Sequence, residues 1–177
     1  MATKTIPINR APVLTLWAAV VAERLGFNQD EALSLAKAVA GLTAQAKGRL
    51  LGIYKPHGDR AKKAREKERG EQFWVEICSK PVPARNTDDG VRAVHGDTAI
   101  DPDSVRRYLE SKFGDSLGAA RSAMERLAEA YKQQELAEVA YQLYKRFRPD
   151  IPGGTKGWGA RGELDLGLVE ALAKKRK

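Results

Sequence analysis

The sequence predicts a mainly α protein, with a small β-hairpin or meander inserted between an N-terminal helical hairpin and a C-terminal helical group. Three observations carry that expectation. Apolar residues recur at alternating spacings of three and four on both sides of the middle, the period of one helix face. Between Phe73 and Ile100 the pattern changes to short β-branched and aromatic runs broken by Asn86-Thr87-Asp88-Asp89-Gly90, and Asp-Gly between such runs is a hairpin turn signal. No internal repeat suggests a solenoid.

Residues 1 to 11 read as an irregular arm. Pro12 suits the first turn of a helix, where its missing donor costs nothing, and Gly26 marks the stop after Leu25. Asn28 then caps a second helix, with Glu31 three residues on in capping-box register. Ala32, Leu35, Val39, Leu42 and Ala46 give its stripe, which fades near Gly48. Between Val13 and Ala46 stand only five charges, Glu23, Arg24, Asp30, Glu31 and Lys37. A helix apolar nearly all round is buried on most sides. Residues 13 to 46 are therefore either the central hairpin of the core or also the interface of a homo-oligomer.

Residues 54 to 72 read as a basic linker or a solvated helix, since the run after Tyr54-Lys55-Pro56-His57-Gly58 has no apolar stripe. Strands are expected over Phe73–Ser79, Val82–Arg85 and Val91–Val94, with Pro81 and Pro83 confining the middle one to an edge or an irregular position. Asp101-Pro102 starts the next helix, carrying Val105, Tyr108, Leu109 and Phe113. Two further stripes follow, Leu117, Ala120, Met124, Leu127 and Tyr131, then Leu136, Val139, Leu143 and Phe147, facing each other or the first hairpin. Pro149 and Pro152 end the run. A Gly-rich loop and a short helix near Asp165 to Ala173 close the chain. The segments 1–53, 54–72, 73–100 and 101–177 are read as parts of one compact domain.

The net charge of +8 is unevenly spread. Lys174, Lys175, Arg176 and Lys177 supply half of it. Arg60, Lys62, Lys63, Arg65, Lys67 and Arg69, set against Glu66 and Glu68, supply the other half. Two basic segments on a near-neutral body are suited to phosphate contacts without sequence preference, each cation contributing through counterion release. Lys62 with Glu66, and Arg65 with Glu68, equally well lace a solvated helix.

The spacing over Ala18–Lys37 matches a helix-turn-helix: Ala22 is the small residue where two helices cross, Gly26 takes the turn, and Val21, Leu25, Phe27 and Leu35 are apolar. A reading helix opening Gln29-Asp30-Glu31 would put carboxylates against phosphates. It would then offer Leu33, Ser34, Ala36 and Lys37, none suited to bidentate base contacts. Gly157, Gly159 and Gly162 spell a dinucleotide fingerprint without the βαβ context that gives it meaning. Lys156, Trp158 and Arg161 in that loop remain candidates for contact with a phosphate or a stacked base.

Nothing in the sequence spells catalysis. The lone Cys78 allows no internal disulfide or zinc spacing and reads as a buried thiol, and His57 and His95 lack ligand spacing. No metal or cofactor is expected. The N-terminus lacks an apolar run after a basic start, and Leu16–Ala22 is far short of the roughly 20 residues that span a bilayer, so a cytoplasmic protein away from membranes is expected. The expected function is a non-enzymatic protein associating with nucleic acid through its basic segments, with the helix-turn-helix-like hairpin as a second candidate element. The alternative is a helical protein-interaction or self-assembly module.

Overall fold

The structure is a computed structural model that describes residues 5–45, 72–78, 80–95, 98–149 and 161–176. It is mainly helical with small antiparallel sheets. In chain order the elements are β1 (Thr5–Asn9), α1 (Arg10–Arg24), α2 (Gln29–Gln45), β2 (Gln72–Ile77), β3 (Lys80–Thr87), β4 (Gly90–His95) and β5 (Thr98–Ala99). After them come α3 (Pro102–Phe113), a 3-10 turn (Gly114–Ser116), α4 (Leu117–Glu129), α5 (Gln133–Phe147), β6 (Arg161–Asp165) and α6 (Leu166–Arg176).

Helix α1 is the axis of the molecule. Every residue from Pro12 to Ala22 is buried, and the helix touches α2, α3, α4, α5, β1, β2 and β6. Full burial of each Leu or Val in this segment stabilises by roughly 1.5–3 kcal/mol. Trp17 is wholly buried yet satisfied, its indole N–H donating to the Ala140 carbonyl of α5 at 2.9 Å while its ring meets Phe147 edge-on at 5.3 Å. The α4 and α5 stripes both face α1.

The end of α1 is a Schellman motif. The amide of Gly26 donates to Glu23 O at 3.0 Å and that of Phe27 to Ala22 O at 3.1 Å, with Gly26 at φ 110°. Two residues on, Asn28 and Glu31 form the expected capping box: the Glu31 amide donates to Asn28 Oδ1 at 2.8 Å and the Asn28 amide to Glu31 Oε1 at 3.0 Å.

Three expectations need correction. Residues 5 to 9 are a strand, not an irregular arm, pairing antiparallel with β6 in the register Thr5↔Asp165 to Asn9↔Arg161. Ile6 and Ile8 point inward from it. The meander runs β2-β3-β4-β5, so β3 is interior, with Pro81 and Pro83 inside it. The prolines fit because β4 pairs only with Ala84–Thr87, leaving their half of β3 with β2 as its one neighbour. There a missing donor on the open side costs no ladder bond. The first strand also ends earlier than expected. Ile77 pairs with Lys80, and Cys78, just past the strand, takes φ 51°, the left-handed geometry that tight hairpin turns use.

Helix α2 then finishes the sheet. The Val91 amide donates to Glu31 Oε2 at 3.0 Å, and the Ala93 amide donates to Ser34 Oγ at 2.8 Å, which itself donates to Ile100 O at 2.8 Å. Two side chains of a helix thus take ladder donors of β4 beside the two-residue β5, which leaves no open edge there.

Candidate nucleic-acid interface

Positive charge gathers where α1 begins and α5 ends. Arg10 Nε donates to Pro149 O at 2.7 Å, and Tyr144 Oη donates to Arg10 O at 3.4 Å, which stitches the two helix ends together. Around this stitch a chain of ring contacts holds two more cations. The Arg148 guanidinium lies 6.0 Å from the Tyr144 ring, Tyr144 lies 5.7 Å from Tyr141, and Lys80 Nζ lies 4.8 Å over Tyr141. Lys145 and Arg146 are exposed in the last turn of α5.

Among the described residues no carboxylate is in ion-pair contact with Arg10, Lys80, Lys145, Arg146 or Arg148. Other arginines are paired: Arg106 with Asp30 and Asp103, Arg121 with Glu23 and Glu125, Arg126 with Glu170. Hydrogen bonding to Asp30 raises Arg106 above its usual pKa. Burial pushes the Tyr144 phenol up, so it stays a neutral donor beside the cations.

The opposite end is acidic. A cleft of about 550 Å³ lies beside the α2 N-terminus, walled by Asp30, Asp89, Asp101 and Asp103 with Arg92 and Thr87. Asp101 is already used as the α3 cap, accepting from the Asp103 amide at 3.0 Å. The 15 residues of α1 separate the two ends by about 22 Å. A second cleft of about 420 Å³ at the end of α1 is lined by groups that bind each other: Arg121 bridges Glu23 and Glu125, Arg24 Nη2 donates to Tyr131 O at 2.9 Å, and Gln133 Nε2 donates to Arg24 O at 2.8 Å.

Of the residues singled out from sequence, Arg60, Lys62, Lys63, Arg65, Lys67, Arg69, Lys156, Trp158 and Lys177 lie outside the described residues, as does His57. Arg161 begins β6 opposite Asn9, which puts its backbone beside Arg10 at the basic end. Lys174 is exposed near the end of α6, the helix that also includes Lys175 and Arg176. The cations that sequence reasoning missed are Arg10, Lys80, Lys145, Arg146 and Arg148. Lys145-Arg146-Phe147-Arg148 was a usable signal, hidden because its phenylalanine completes an apolar stripe.

The spacing match to a helix-turn-helix falls on buried surface. From Ala32 to Ala40 only Lys37 is exposed, and it lies over the Tyr108 ring at 4.6 Å. Leu33, Ser34 and Ala36, which would face base edges, are buried. The apolar surface of α1 is likewise consumed within the chain. Among the described residues the only large apolar side chain left exposed is Leu168, at 39 %.

Cys78 is fully buried and its thiol is pushed up by that burial, the opposite of what an activated nucleophile needs. Among the described residues no group of three or more His, Cys, Asp or Glu side chains has metal-holding geometry, and no helix is long and apolar enough to cross a membrane. Comparison with protein-family models, curated proteins and solved structures finds no match to the chain.

Proposed function

We propose that the protein is a non-enzymatic binding protein that associates with nucleic acid by holding phosphates at its basic end. The observation that carries this reading is the set of five cations around the Arg10–Pro149 stitch, none of them ion-paired among the described residues. Cations without a carboxylate partner gain most from a polyanion, because binding releases its condensed counterions. Segregation of acid to the far end of α1 adds orientation, since a polyanion is drawn to one end and repelled from the other. The sequence-level segments Arg60–Arg69 and Lys174–Lys177 add charge to the same task. The helical hairpin contributes as scaffold rather than as a reader of bases, because α1 and α2 are packed into the core.

The test is a double charge reversal, Lys145→Glu with Arg146→Glu, on two exposed positions. Fluorescence anisotropy of a labelled random duplex at low salt should show affinity reduced by at least about tenfold. Reversal of Lys112, an exposed cation on α3, should change it by less than about twofold. Equal losses from both variants would sink the assignment of the basic end.

A further inference from the structure

The meander has two unlike faces. Phe73, Val75, Val82, Ala84, Val91 and Ala93 alternate onto the buried one. The other face carries the half-buried Trp74, Pro83 and Arg85 on β2 and β3, and the buried Arg92 and Val94 on β4, in the pairings Trp74↔Pro83, Gln72↔Arg85 and Arg85↔Arg92. Arg85 and Arg92 therefore stand directly opposite each other, an arrangement that repels. Arg92 is 7 % exposed and gives one donor to Val91 O at 2.9 Å. Arg85 is half-buried, makes no hydrogen bond or ion pair among the described residues, and has its Nε buried without an acceptor. Trp74, its diagonal neighbour, is half-buried and makes no hydrogen bond among the described residues either.

An arginine without a partner among the described residues, beside a half-open indole, is a costly pair for a protein alone and a suitable one for an anion joined to a flat ring. We infer that this outer face is a stacking platform for single-stranded nucleic acid, with a base on the Trp74 indole flanked by Pro83 and its backbone phosphate on Arg85. Diagonal neighbours lie about 7–8 Å apart, a reach that long side chains close, so one nucleotide can span the two. Duplex bases have no free face to offer, which sets the preference for single strands. Glu76 lies beyond Trp74 on the side away from Arg85. Asp30, Asp89, Asp101 and Asp103 lie on the other side, in the cleft that Arg92 lines, so the phosphate is assigned to Arg85 and not to Arg92.

This inference rests on the nucleic-acid reading, and one experiment separates the two. The full chain and its Trp74→Ala, Trp74→Phe and Arg85→Gln variants are titrated into a labelled oligothymidylate of ~12 nucleotides and into a duplex of equal length. The expected result is tighter binding to the single strand, a loss of about tenfold in Trp74→Ala, and recovery of most of it in Trp74→Phe, with duplex binding unchanged in both. Arg85→Gln should weaken single-strand binding several-fold. Oligothymidylate should also quench tryptophan emission in the natural protein and not in Trp74→Phe, which keeps the test alive if the alanine variant fails to fold. Equal affinity for both nucleic acids, with no effect of Trp74→Phe on quenching, overturns the platform and leaves the basic-end reading standing. No binding to either at low salt overturns both.

Discussion

Glu31 on α2 accepts the backbone N–H of Val91 on β4 at 3.0 Å, so one carboxylate begins a helix and finishes a sheet. Its other oxygen takes the Asn28 amide of the capping box. Glu31 is 2 % exposed, and a carboxylate at that depth is tolerated because donors meet it. Replacement by Ala removes both acceptors and leaves the Val91 donor buried. We expect a loss of about 2–4 kcal/mol in urea unfolding, combining a lost cap with an orphaned donor. A loss under about 0.5 kcal/mol would contradict this role.

Gly90 depends on the same carboxylate. It sits at φ 116°, and a Cβ there would lie 2.9 Å from Glu31 Oε2. Gly90→Ala should therefore destabilise by about 1–3 kcal/mol, through backbone strain and the close approach together. In the Glu31→Ala background the second part disappears. The double-mutant cycle should then show a coupling of at least about 0.5 kcal/mol, whereas strict additivity would show that backbone conformation alone sets the cost.

Ser34 offers a simpler case. Its hydroxyl stands between the Ala93 amide and the Ile100 carbonyl, each at 2.8 Å. Ser34→Ala leaves a buried amide without an acceptor and should cost about 1–3 kcal/mol. Faster hydrogen exchange at the Ala93 amide, beyond the change at other β4 amides, is the local readout.

Alkaline pH should weaken the fold in a defined window. Burial holds the Cys78 thiol above its ordinary value of 9.0, and the Tyr144 phenol above 10.0. In the unfolded chain both ionise at ordinary values, so each group's contribution is fully present below that value and is lost as pH rises past it. Stability should fall by about 1.4 kcal/mol per pH unit above about pH 9, and more steeply above about pH 10. Cys78→Ala, which keeps a Cβ at the same positive φ, should remove the first part of the slope. An unchanged slope between pH 9 and 10 would contradict the assignment to this thiol.

What the sequence revealed was local. The capping box at Asn28 and Glu31, the glycine stop at Gly26 and the Asp101 cap each lie within a few residues of the groups they satisfy, so spacing alone exposes them. Pairings between distant segments were not legible. The five residues of β1 find their partner at β6, beyond all the central helices, and Pro7 in so short a run masks the alternation of Ile6 and Ile8. The prolines of β3 suggested an edge, and only the register with β4 shows that half the strand is one. The basic end was hidden for the same reason: Arg10 is hydrogen-bonded to Pro149, and Lys80 lies over Tyr141, contacts between segments that no local pattern links.

The most direct test of phosphate holding at the basic end is the salt dependence of binding to a random duplex. The observed affinity should fall linearly on a logarithmic plot with a slope of about −4, corresponding to four or five neutralised phosphates. Reversing Lys145 and Arg146 should flatten that slope by about 2. Binding that does not respond to salt, or a slope left unchanged by the two reversals, would contradict the proposal that this end grips a nucleic-acid backbone.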